Sequence, residues 1–160
     1  MRRLEQRRYQ ETVVRRYETD ADSVDLGDQI RHHFRGINPQ CMEILQDMAQ
    51  SFTQDITLNS IADTYHFSPA YLSRMIRKET GYSFSEILNS MRLAEAVWLL
   101  REDSVKIGLL CEKSGFRDAR YFSQVFKKAF GCSPGEFRKN AGQQKSHSIK
   151  SILELIQEKK

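Results

Sequence analysis

One stretch of this chain repeats itself, and the repeat constrains the fold more than any other feature. The first copy runs from Ile61-Ala62 to Phe67, through Tyr71-Leu72-Ser73 and Arg77-Lys78, to Gly81, Ser83 and Glu86. The second runs from Leu110-Cys111 to Phe116, through Tyr121-Phe122-Ser123 and Lys127-Lys128, to Gly131, Ser133 and Glu136. The copies are 49 residues apart up to Phe67 and Phe116, and 50 apart from Tyr71 and Tyr121 onward. One residue is therefore inserted in the second copy's turn, around Arg117-Asp118. Self-similarity of this density means two copies of one supersecondary unit.

Each copy reads as helix, tight turn, helix. In the first, Leu58, Ile61, Ala62 and Tyr65 form a stripe at i, i+3, i+4 and i+7, the signature of one buried helix face. His66-Phe67 makes the turn, Ser68 caps the second helix, and Leu72, Met75 and Ile76 point inward. In the second copy Ile107, Leu110 and Cys111 face inward and Gly115 makes the turn. Asp118 caps the next helix, whose inner face is Phe122, Val125 and Phe126. Small Ala62 and Cys111 let two helices cross closely, as a helix-turn-helix requires. Gly81 and Gly131 fall where a helix end favours a left-handed residue. Ser83 with Glu86, and Ser133 with Glu136, have capping-box spacing.

Proline reinforces the helical reading. All three prolines follow a capping residue, in Asn38-Pro39, Ser68-Pro69 and Ser133-Pro134. Proline in a first helical turn sacrifices no hydrogen bond, so each pair marks a helix start. Between the copies, Ile87, Met91, Ala94 and Trp98 recur at helical spacing. They predict a linker helix over about 84–101, roughly 25 Å long at about 1.5 Å per residue. The expected fold is all-α: two tandem helix-turn-helix subdomains joined by a long linker helix, about seven helices in all. The first motif spans about 57–81 and the second about 105–131, within a domain at 37–140.

Bulk composition permits this reading without compelling it. The chain has 160 residues, is 39% hydrophobic and carries a formal charge of only +4. Its cations are clustered, however, as Arg74, Arg77 and Lys78 and as Arg120, Lys127 and Lys128. No apolar run approaches the roughly 18–20 residues of a membrane span. Met1-Arg2-Arg3-Leu4 lacks a signal-peptide core, so a cytoplasmic location is expected. Cys41, Cys111 and Cys132 have no zinc or disulfide spacing and read as buried thiols. His32-His33 has no partner at ligand spacing. No metal, no cofactor and no catalytic nucleophile with a matched base is expected.

The flanks say less. Residues 1–36 are charge-dense, with Leu4, Val13, Val14 and Tyr17 too sparse for a core face. They read as a partly helical extension or linker, loosest from Thr19 to Asp28. Residues 141–160 read as a polar link followed by a short amphipathic helix. Ser148 is its cap, and Ile149, Ile152, Leu153 and Ile156 form its apolar face. A helix this short needs a docking surface. That surface is either the chain's own domain, near Met42 and Leu45, or a second copy; a homodimer through either extension is the corresponding alternative.

A helix that enters the major groove must present hydrogen-bonding side chains opposite its buried stripe. In the first unit these are Ala70, Ser73, Arg74 and Arg77; in the second, Ala119, Arg120, Ser123, Gln124 and Lys127. Arg pairs with guanine O6 and N7, and Gln with adenine N6 and N7. Lys78, Lys128 and Arg138 suit phosphates, which position a protein without reading sequence. Recurrence of the basic and polar face in both copies favours DNA over a merely solvated face.

The residues from Ile61-Ala62 through Phe67-Ser68-Pro69, Tyr71-Leu72-Ser73-Arg74 and Lys78-Glu79-Thr80-Gly81 resemble the first motif of the AraC/XylS family of bacterial transcription regulators. Arg92-Leu93, Ala96 and Leu99-Leu100 resemble its linker helix. Gly115-Phe116, Asp118, Tyr121-Phe122-Ser123, Phe126-Lys127-Lys128, Gly131 and Ser133-Pro134 resemble its most specific signature. The resemblance covers about residues 38–140 and implies a seven-helix domain that binds double-stranded DNA in two successive major grooves. It also implies transcription activation through contact with RNA polymerase. Carried over by position, Ala70, Ser73 and Arg74 face bases from the first unit, and Ala119, Arg120, Ser123 and Gln124 from the second. Cys111, His66 and Phe137 depart from the family's usual alanine, glycine and tyrosine. Neither a β-barrel sensor nor a receiver fits in 36 residues. The resemblance therefore implies either a small stand-alone member or the output end of a larger regulator; the first unit resembles members fused to receivers, in which case residues 1–36 would be the linker.

Overall fold

The computed structural model describes residues 25–102, 104–140 and 148–158. Leu4, Val13, Val14, Tyr17, the link at 141–146 and the terminal Lys159-Lys160 lie outside the described residues. Within them there are nine helices and no strand. These are α1 (Leu26–His33), α2 (Pro39–Ser51), α3 (Leu58–Thr64), α4 (Pro69–Thr80), α5 (Phe84–Leu100), α6 (Ile107–Lys113), α7 (Ala119–Phe130), α8 (Pro134–Asn140) and α9 (Ile149–Glu158). Seven of them, α2 to α8, fall between residues 37 and 140, and α1 and α9 bring the total above the expected count.

Local chemistry starts several of the helices where the sequence indicates, although α1 and α6 begin with no side-chain cap. Asn38 accepts from the amides of Gln40 and Cys41 ahead of α2, Ser68 from Tyr71 ahead of α4, and Asp118 from Tyr121 ahead of α7. Ser83 and Ser133 accept from the amides of Glu86 and Glu136. A full capping box forms where none was expected, between Thr57 and Ser60 at the start of α3. Gly81 and Gly131 end α4 and α7 in the left-handed region, at φ 81° and 76°. His66 makes the first unit's turn at φ 59° and Gly115 the second's at φ 95°. Asn38, Ser68 and Asp118 act through side chains on their own first turns, and the turn residues through their own backbones, which is why single positions reveal them.

The core is continuous along the molecule. Cys41, Ile44, Leu45 and Met48 of α2 face Leu72 and Ile76 of α4 across the first unit. Leu110 of α6 and Phe122 and Phe126 of α7 anchor the second. The linker α5 is 17 residues long and buries most of its length, with Ile87, Met91, Leu93 and Leu99 inaccessible or nearly so. Phe126 packs edge-on against Phe137, and Phe130 lies against both.

Several residues differ from the sequence reading. Cys111 and Cys132, read as buried thiols with Cys41, are only partly buried. Ile107, expected to face inward, is 40% exposed; it is the first residue of a seven-residue helix and overhangs the core. Arg138, expected at a phosphate, donates Nε to Leu100 O at 3.1 Å and Nη2 to Glu102 O at 3.3 Å. These carbonyls lie at and just past the C-terminal end of α5, where a cation is favoured by the helix dipole. Leu26 lies within the stretch read as loosest, yet Leu26, Ile30 and Phe34 are all buried and α1 packs on α2.

The tail helix docks within its own chain. Ile149, Ile152 and Leu153 are fully buried, against α5 chiefly, with α1 and α7 on the flanks. Met42 and Leu45 are not its principal floor. Burying three such side chains stabilises the docked state by about 1.5–3 kcal/mol each.

Candidate nucleic-acid interface

Helices α4 and α7 are equal in length and correspond through the 50-residue offset, so their outer faces can be compared position by position. Ala70 matches Arg120, Ser73 matches Ser123, Arg74 matches Gln124, Arg77 matches Lys127 and Lys78 matches Lys128. All ten are exposed, as is Ala119 at the start of α7. The opposite faces are buried, through Leu72 and Ile76 in α4 and Phe122, Phe126 and Ala129 in α7. Each helix therefore offers a polar ridge held rigidly by an apolar keel, which is the arrangement a groove-reading helix needs. The two ridges are chemically different, because small Ala70 stands where Arg120 extends.

Arg77 is partly committed elsewhere. Its Nη2 lies 3.8 Å from Glu86 Oε1 at the start of α5, so it is drawn toward the linker, whereas Lys127 makes no ion pair among the described residues. Tyr71 and Tyr121 are 47% and 45% exposed. The Tyr121 hydroxyl accepts from Asn89 Nδ2 at 2.9 Å, which ties α7 to the linker. Tyr71 leans on Phe67 with ring centroids 5.0 Å apart.

What sets the two ridges relative to each other escaped the sequence reading. Arg92 of α5 donates Nε to Phe52 O at 2.8 Å and Nη2 to Gln54 O at 3.1 Å, both on the loop between α2 and α3. The same guanidinium lies over the Phe116 ring, 5.8 Å from its centroid, within cation–π range. Burial lowers its pKa, opposed by the nearby Asp55 carboxylate. Beside it, a Cβ on Gly115 would lie 2.6 Å from Phe52 O and 2.7 Å from Thr53 Cα. The second unit's turn thus rests directly on the first unit's backbone, with Arg117 pairing to Asp55 at 3.0 Å across the same seam. A charged residue at 92, set among Met91, Leu93 and Ala94 of the apolar linker, was the available signal.

A profile for a helix-turn-helix domain matches residues 61–140, which is half of the chain. The chain belongs to the AraC-type helix-turn-helix family. Among its relatives in this family is the HTH-type transcriptional activator RhaR of Pectobacterium atrosepticum. It is 32% identical over 126 residues, 79% of this chain and 41% of that protein. The chain thus spans about two-fifths of that relative's length. The C-terminal domain of AraT, a response regulator from Geobacillus stearothermophilus, matches with a TM-score of 0.62. Its identity is 35%, over 70% of this chain and 96% of that one. The DNA-binding domain of AdpA, solved with a target DNA, shares the fold at a TM-score of 0.58. Identity there is 20%, over 62% of this chain and 90% of that one. Family membership agrees with the all-helical double motif and with its duplicated ridges.

Proposed function

We propose that this chain is a sequence-specific transcription regulator that binds double-stranded DNA as a single domain and activates transcription. The observation that carries this is the pair of register-matched ridges, at Ala70, Ser73, Arg74, Arg77 and Lys78 and at Ala119, Arg120, Ser123, Gln124, Lys127 and Lys128. Arg74, Arg120 and Gln124 read base edges, and Lys78 and Lys128 hold phosphates. Joined by a linker of about 25 Å, the ridges enter successive major grooves on one face of the duplex. The activator RhaR among the relatives supports activation, and the family supports RNA polymerase as a protein partner. The similarity to the C-terminal domain of a response regulator supports a role as the output module of a larger regulator in the bacterial cytoplasm. The apolar face of α9 is occupied within the chain, through Ile149, Ile152 and Leu153.

A catalytic role has no support at the cysteines. Burial, and then Glu79, push the Cys41 thiol up to about 11. Burial likewise raises Cys111, whose Sγ donates to Phe116 O. Neither is the thiolate that nucleophilic chemistry requires. Among the described residues no cluster of His, Cys, Asp and Glu is arranged to hold a metal, and no helix is long and apolar enough to cross a membrane.

The test is selection from a random-sequence DNA pool by gel shift at moderate salt. The expected product is an asymmetric motif with two conserved blocks about one helical turn apart. Recovery of no motif, or of a single block, would overturn this assignment.

A further inference from the structure

The tail helix touches more of the interface than docking alone requires. Its first amide, of Ile149, donates to Gln29 Oε1 on α1 at 2.9 Å. Near its other end two consecutive residues face different units. Gln157 accepts from the hydroxyl of Tyr82, at 3.3 Å, in the turn that leaves α4. Ile156 shares a groove with Gln124, Lys128 and Ala129 of α7 and with Glu86 and Asn89 of the linker. One end of α9 is therefore wedged between the exits of both groove-reading helices, while Ile149, Ile152 and Leu153 pin its length to the core. The helix lies outside the residues 61–140 that carry the family match.

We infer that α9 is a brace that positions α7 relative to α4, so that Ile152, Leu153 and Ile156 act on DNA affinity without touching DNA. The proposal rests on the two-groove function proposed above. The physical basis is effective concentration. Once one ridge is seated, the second finds its groove at a rate set by how narrowly their separation is distributed. Arg92 and Gly115 restrain the turn side of the seam, at Phe52 and Phe116. Contacts from Tyr82 and α7 to α9 restrain the far side. With the brace undocked, α7 is held to the first unit by the linker and the Arg92 seam alone.

The test uses the full chain and its Leu153→Asp variant, which drives a charge into the docking site. Ile44→Ala, in the core of α2 away from α9, serves as the control for simple loss of stability. Pulsed dipolar spectroscopy between keto-residue spin labels at positions 73 and 123 reads the separation of the ridges without DNA. The native chain and Ile44→Ala should each give one narrow distance distribution, and Leu153→Asp a broad one. On the selected duplex Leu153→Asp should bind about tenfold more weakly, while a duplex with one block scrambled loses almost nothing. An equally narrow distribution in Leu153→Asp overturns the brace. So does an equal loss of affinity on intact and scrambled duplexes. Failure of the native chain to bind any duplex, with the distance change intact, overturns the DNA assignment and leaves the brace standing as a property of the fold.

Discussion

Arg74 and Lys128 carry the same charge on equivalent stretches of the two outer faces, yet their loss should register differently. Arg74 projects from the middle of the α4 ridge, so Arg74→Ala should cost about 1–3 kcal/mol on the selected site and relax one base position. Lys128 lies toward the C-terminal end of α7, and Lys128→Ala should weaken all sequences alike and reduce the salt slope by about one unit. Selection repeated with each variant, together with a salt titration, checks both outcomes. Two of the left-handed glycines, Gly81 and Gly115, separate in the same way. Gly81 has open space where a Cβ would go, whereas Gly115 has Phe52 O at 2.6 Å. Gly81→Ala should therefore cost only the conformational penalty, about 1–2 kcal/mol. Gly115→Ala should cost more than that and also displace the second unit, which denaturation and binding measured on the same variants will show. The glycine at 115 was legible as a turn residue. Its second duty, as the place where two backbones meet, was not, because Phe52 and Thr53 are more than sixty residues away in sequence.

At the scale of helices, legibility follows how local the determinants are. Helices α2, α4 and α8 announce themselves through Asn38-Pro39, Ser68-Pro69 and Ser133-Pro134, and α5 through its long apolar periodicity. Helix α1 does not, because Leu26, Ile30 and Phe34 are single apolar residues four apart among polar and charged ones. Helix α9 was legible as amphipathic, but its partners Gln29 and Tyr82 lie far upstream and no pattern in residues 148–158 points to them. The contact between these two helices has a pH signature. His33 of α1 has its pKa lowered from 6.5, first by burial, then by Lys150 of α9 and by His32, with Glu154 opposing. A folded value below the unfolded one means that the unfolded chain binds the proton more readily. This contribution to stability is complete above the unfolded pKa and is lost as pH falls below it toward the folded value. Urea denaturation between about pH 7.5 and 5.5 should show stability declining on the acid side, and His33→Gln should remove that part of the decline.

For the molecule as a whole, duplication fixed the architecture and divergence set its use. Two similar units in one chain remove any need for a partner copy to reach a second groove. Their unlike ridges, Ala70 and Arg74 against Arg120 and Gln124, remove any need for a palindrome. The repeat made the double motif readable without coordinates. The seam and brace that orient the two units were hidden, because Arg92, Gly115, Ile156 and Gln157 act through contacts that join distant stretches of chain. Hydroxyl-radical footprinting of the native chain on its selected duplex tests the central claim most directly. The structure predicts two protected patches about 10 base pairs apart on one face of the DNA, unequal in sequence and both produced by one bound chain. A single patch, or a symmetric pair that appears only when two chains bind, would contradict it.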